Sequence, residues 1–151
     1  MAIPHGALVL VADGRKMLWL RNQGDSGMID LRTESHGERA DPMDRDIKSD
    51  APGTNFQSFS PRRSSYQETD FHQQSEDRWI REAAEEVNRR ALENDFDALV
   101  VIVPPKALGQ FRKKLHKEAE RRIVLTVNKA MTDRPIPDIE ELLVGEGAPP
   151  A

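Results

Sequence analysis

Cysteine is absent from the 151 residues, which excludes disulfides, thiolate metal centres, cysteine nucleophiles and thiol redox chemistry. Aromatic residues are scarce at 5%, and only 37% of the chain is apolar against 32% charged. One small core is therefore expected rather than two. Long apolar runs are missing as well. Ala7–Ala12 and Ala98–Pro105 fall far short of the roughly 20 residues that a membrane-spanning helix needs. The opening Met-Ala-Ile-Pro-His-Gly has no basic n-region, so no secretory signal is predicted and a cytoplasmic location is expected. His5, His36, His72 and His116 are scattered without ligand spacing, and neither a Gly-rich phosphate loop nor a serine nucleophile elbow occurs. No catalytic residue, metal or cofactor is predicted.

What is present is a clear alternation of elements. Leu8-Val9-Leu10-Val11 is continuously apolar and branched, as a strand covered on both faces should be. Asp13-Gly14 is a hairpin turn signal, Lys16–Arg21 the returning strand, and Ile29–Glu34 a third strand of period two. Helical periodicity begins at Gln74: Ile80, Ala83, Ala84, Val87 and Ala91 share one stripe, with Asp70 or Ser75 as candidate caps and Asn94 near the end. Ala98–Val103 is a second apolar strand, closed by Pro104-Pro105, which can open a helix. Leu108, Phe111, Leu115 and Ala119 continue a helical stripe, Ile123–Val127 is a fifth strand, and Asp138–Val144 a short last helix. The order predicts an α/β fold: a mixed five-stranded sheet made of a three-strand meander and a βαβ unit, with about three helices, an arrangement shared with ribonuclease H-like folds. Residues 1–144 form one domain with a long loop at 36–73, followed by a 145–151 tail.

That loop holds Phe56, Phe59, Tyr66 and Phe71, half of the eight aromatics, so it is expected to dock on the body or on a protein partner. If the third strand lies at a sheet edge, it can also pair with a second copy, giving a homodimer.

Two carboxylate arrangements bear on metal chemistry. A two-metal nuclease needs acids from the first strand, the first helix and the C-terminal end of the fourth strand. Asp13 and Glu82, Glu85 or Glu86 fill two places, but Asp97 lies at the wrong end of its strand. The run Asp44–Asp50 lacks the ligands of a calcium loop, supplying Lys48, Ser49 and Asn55 at the fifth, sixth and twelfth positions.

Charge is the more informative signal. Lys106, Arg112, Lys113, Lys114, Lys117, Arg121 and Arg122 stand against Glu118 and Glu120 between Pro104 and Arg122, a local +5 in a chain of net −4. Lys113, Lys117 and Arg121 follow at i, i+4 and i+8, one side of a single predicted helix over 105–122. With Lys106 they are the candidate phosphate contacts to RNA. Arg62 and Arg63 lie in the loop near Phe59 and Tyr66, where a ring can stack on a base.

Four passages carry a resemblance over most of the chain: Leu8–Arg15, Ser64–His72, the strand and turn Leu99-Val100-Val101-Ile102-Val103-Pro104-Pro105-Lys106-Ala107-Leu108-Gly109, and Pro135–Glu140. Together they resemble the bacterial host-attachment protein family, itself similar to the central domain of archaeal and eukaryotic peptide-chain release factors. The resemblance implies the same mixed sheet and places the release factors' catalytic loop between the third strand and the first helix. That loop carries Gly-Gly-Gln in release factors. Here Gly53 is followed by Thr54, Gln57 stands alone, and Gly109-Gln110 lies after the fourth strand, preceded by Leu108. The resemblance thus implies ribosome or structured-RNA binding without peptidyl-tRNA hydrolysis, with attachment through protein contacts as the alternative. An unrecognised hydrolase, exposed by an Asp13→Ala loss of RNA cleavage, is a third.

Overall fold

The computed structural model describes residues 3–38 and 65–147, with side chains described for 3–38 and 73–145. Strand β1 (Leu8–Ala12) runs through the middle of a five-stranded sheet with β2 (Lys16–Asn22), β3 (Leu31–Glu38), β4 (Leu99–Ile102) and β5 (Ile123–Val127), in the order β3-β2-β1-β4-β5. The β1–β2 and β2–β3 pairs are antiparallel, and the β1–β4 and β4–β5 pairs parallel. The expected meander and βαβ unit are both present.

Because side chains alternate along a strand, β1 contributes to the apolar packing on both faces of the one sheet. Leu8, Leu10 and Ala12 join Leu99 and Val101 beneath Ile80, Ala83, Ala84 and Val87 of helix α1 (Ser65–Leu92) and Phe111 of helix α2 (Pro105–Lys114). Val9 and Val11 join Leu20, Val100 and Ile102 against Ile139 and Leu143 of the last helix (Ile136–Gly147), numbered α4 below. All five β1 side chains are buried, which is why the sequence there is apolar without alternation.

Helix α1 ends where expected. Asn94 adopts φ 57°, its N–H donates to Ala91 O, and the N–H of Asp95 donates to Arg90 O. This pair of bonds with a left-handed residue is a Schellman closure, and asparagine tolerates that conformation better than most residues.

Several boundaries differ from expectation. Strand β3 starts at Leu31 rather than Ile29, because the Asn22 Oδ1 accepts the N–H of Asp30 and keeps that residue in the turn. It then runs on to Glu38 through a polar stretch read as loop, held by pairing with β2 rather than by burial. Helix α1 begins at Ser65, inside the same predicted loop, so neither Asp70 nor Ser75 caps it. Finally, the single helix expected over 105–122 is two: α2 stops at Lys114, and a separate α3 covers Lys117–Glu120, giving four helices in all among the described residues.

Candidate nucleic-acid interface

The strand-to-helix turn sets the geometry of the cationic surface. Pro104, at φ −64° and ψ 154°, caps α2, and Pro105 occupies the first turn, where a missing N–H costs nothing. Ala107 and Phe111 are buried against the sheet, which fixes the helix about its axis. Lys106, Gly109, Arg112 and Lys113 are left exposed.

At Leu115 and His116 the backbone turns extended, with ψ of 134° and 154°. Asn88 on α1 holds this break: its Nδ2 donates to Lys114 O at 2.8 Å, and its Oδ1 accepts the His116 N–H at 2.7 Å. One amide therefore satisfies a carbonyl left over at the end of α2 and an N–H at the start of α3. Ala119 is then the buried anchor of α3.

The predicted ridge of Lys113, Lys117 and Arg121 is corrected accordingly. Lys113 lies on α2, Lys117 opens α3, and Arg121 follows α3 as its cap, so the i, i+4, i+8 alignment on one helix does not exist. The cations also divide by partner. Arg121 is paired with Glu118. Arg122 is half-buried, donates to Phe96 O at 2.8 Å and to Asn94 Oδ1 at 3.1 Å, and stacks 5.9 Å over the Phe96 ring. It ties the end of α1 to the start of β5 and is a structural residue. Lys106, Arg112, Lys113, Lys114 and Lys117 are exposed and make no ion pair among the described residues. Arg112, Lys113 and Lys114 fall in the last turn of α2, where the helix dipole favours positive charge.

Of the other predicted RNA contacts, Arg62 and Arg63 lie outside the described residues. Tyr66 lies in the first turn of α1, and its side chain is likewise outside them.

Two of the candidate catalytic carboxylates, Asp13 and Glu86, have structural work. Asp13 Oδ1 accepts the N–H groups of Arg15 and Lys16 at 2.7 and 2.8 Å, and its Oδ2 accepts the Thr132 hydroxyl. Glu86 accepts from Arg89 and Arg90, and the Arg89 hydrogen bond, reinforced by Arg90, holds its carboxyl below the usual range. Among the described residues no three potential ligands gather around a metal position. A cleft at the C-terminal ends of β1 and β4, lined by Gly14, Gln73, Glu76, Asp77, Ile80, Lys106 and Ala107, encloses about 50 Å³. That is room for one or two waters, well short of a small-molecule pocket. No described helix is long and apolar enough to cross a membrane.

Residues that organise this face were not apparent from the pattern. Asn88 interrupts the apolar stripe between Val87 and Ala91, and that polar break in a buried face was the available signal.

No curated protein matches the chain. A crystal structure of the archaeal translation termination factor aRF1 is similar at 12% identity and a TM-score of 0.46, over 93% of this chain and 41% of its own. The chain thus spans about two fifths of that protein's length. Residues 6–143 match the family described as bacterial archaeo-eukaryotic release factor family 12, and the chain belongs to it.

Proposed function

We propose that this domain is a non-catalytic cytoplasmic module that binds ribosomal or other structured RNA through the cations of α2 and α3. The observation that carries the proposal is the group Lys106, Arg112, Lys113, Lys114 and Lys117, exposed and without acidic partners among the described residues, in a protein whose net charge is −4. Cations left unpaired in an acidic chain suit phosphate contacts, which release condensed counterions and make affinity fall steeply with salt. Membership in a release-factor-like family supports the ribosome as the source of that RNA. Arg62 and Arg63, before α1, and Tyr66, in its first turn, are proposed to extend the contact. Reversing Lys113 and Lys117 to glutamate tests the reading: ribosome co-sedimentation should weaken, and the slope of log affinity against log salt should fall by about 1 per lysine. Unchanged co-sedimentation at low salt would overturn it.

A second reading follows the resemblance to host-attachment proteins and works through protein contacts of the 36–73 segment or of β3. One observation favours it: among the described strands β3 lies at the sheet edge and pairs with β2 alone, and an edge strand can accept a strand from a partner or from a second copy. Fractionation separates the two, since RNA binding places the protein with ribosomes and attachment places it with the envelope.

A further inference from the structure

Gly109 stands at the centre of the cationic face of α2. Lys106 lies three residues before it, Arg112 three after and Lys113 four after, the spacings at which helix side chains are neighbours. All four positions are exposed. A Cβ built on Gly109 would meet no atom within 4 Å, and its φ is not positive. Neither packing nor backbone conformation therefore requires glycine here, although glycine is among the poorest helix formers.

Lys106 breaks a second local rule. It sits in the first turn of α2, which holds no acidic residue, and the exposed amide dipoles there disfavour a cation. Two choices that weaken the helix thus fall one turn apart on the same outward face. Departures of this kind concentrate where something other than folding selects the residue.

We infer that Gly109 is the floor of a phosphate seat, the point where an RNA backbone crosses α2 and comes closest to the protein. The inference rests on the RNA-binding reading above and adds the residue that sets the approach. Lys106 and Lys113 are about 10 Å apart along the helix axis, far enough to straddle a phosphodiester strand laid across the helix. With no side chain between them, the strand lies against the helix backbone, Lys106 reaches it from one side, and Arg112 and Lys113 reach it from the other. Any larger residue at 109 would occupy the space that the ribose and phosphate fill.

The test compares Gly109→Gln and Gly109→Ala with the Lys113→Glu/Lys117→Glu variant, using the full chain, a fluorescently labelled RNA hairpin and a thermal melt. Both Gly109 variants should melt higher than the parent, because open space surrounds the position and both residues are better helix formers. They should nonetheless bind RNA more weakly, several-fold for glutamine and less for alanine. Should glutamine perturb folding, the alanine variant carries the comparison alone. Parental affinity in the Gly109 variants, with weakened binding in the lysine variant, would overturn this inference and leave the RNA reading standing. Failure of the parent chain itself to bind the hairpin at low salt would overturn both.

Discussion

Arg21 Nη2 lies 2.8 Å from Asp95 Oδ2, joining β2 to the turn that follows α1. The same guanidinium donates to Glu34 on β3 through Nε and Nη2, and to the carbonyls of Gly6 and Asp95 through Nη1. Arg90 approaches the same two carboxylates and stacks 4.7 Å over the Trp19 ring. Five donors in a planar fork match this set of acceptors, and an ammonium group would not.

Arg21→Ala should therefore destabilise the fold by about 2 kcal/mol, because the guanidinium is largely enclosed and its loss removes the donor to two carbonyls and leaves Glu34 and Asp95 with Arg90 alone. Arg21→Lys should recover only a minor part. Urea denaturation of the three proteins measures both.

Asn22 is fully buried, and all four of its hydrogen-bonding positions are used. Its Oδ1 accepts from Gly24 and Asp30, and its Nδ2 donates to the carbonyls of Ile3 and Pro4. Asn22→Ala should cost about 3 kcal/mol or more, since buried donors and acceptors are left unmatched. Asn22→Asp keeps the acceptor but buries a charge and loses the donor, and should not rescue stability. Thermal melts of both variants check this.

Gly24 sits where a Cβ would fall 1.9 Å from the carbonyl oxygen of Met28. Backbone, rather than a flexible side-chain end, blocks the substitution, so Gly24→Ala must open the β2–β3 turn at a cost of about 2 kcal/mol or more. Hydrogen exchange should locate the loss of protection at residues 22–31, with the β1–β4 pair retained.

Glu86 carries a prediction for acid. Its carboxyl is held below its ordinary value of 4.5, chiefly by the Arg89 hydrogen bond. A lowered folded-state value means that the stabilisation is complete above the unfolded value and is lost as pH falls through the folded one. Glu86→Gln should flatten that part of the acid unfolding curve while changing the neutral-pH shape of the curve little. A pH series of urea midpoints shows the difference.

The cations should not be equivalent. Arg121 is paired with Glu118, whereas Lys117 has no acidic partner among the described residues. Lys117→Ala should lower RNA affinity and its salt dependence more than Arg121→Ala does, and salt titrations of the two variants measure this. Equal effects would mean that the Arg121 pair opens freely in favour of phosphate.

Much of the architecture was legible where burial dictates residue type. The apolar run of β1, the Ile80–Ala91 stripe and the Asn94 stop each record a local physical demand, and each element lies where the sequence indicates. The polar half of β3 was not legible, because its strand conformation comes from pairing with β2 and leaves no periodic mark. Nor was the break after Lys114. Leu115 continues the helical stripe, packing against the core as a helix residue would, and the interruption is imposed by Asn88 from a different helix. At the candidate site, the cations could be counted from the sequence. The pairing of Arg121 and Arg122 was not visible, since a composition tally does not say which cations face a carboxylate or a carbonyl.

The Asn88 amide has a further consequence. Because it clasps both sides of the bend, the curvature of the positively charged surface is governed by a neutral residue that carries none of the charge. Evolution or engineering could reshape this face by changing that single side chain, straightening or tilting the two segments without altering any lysine in the sequence.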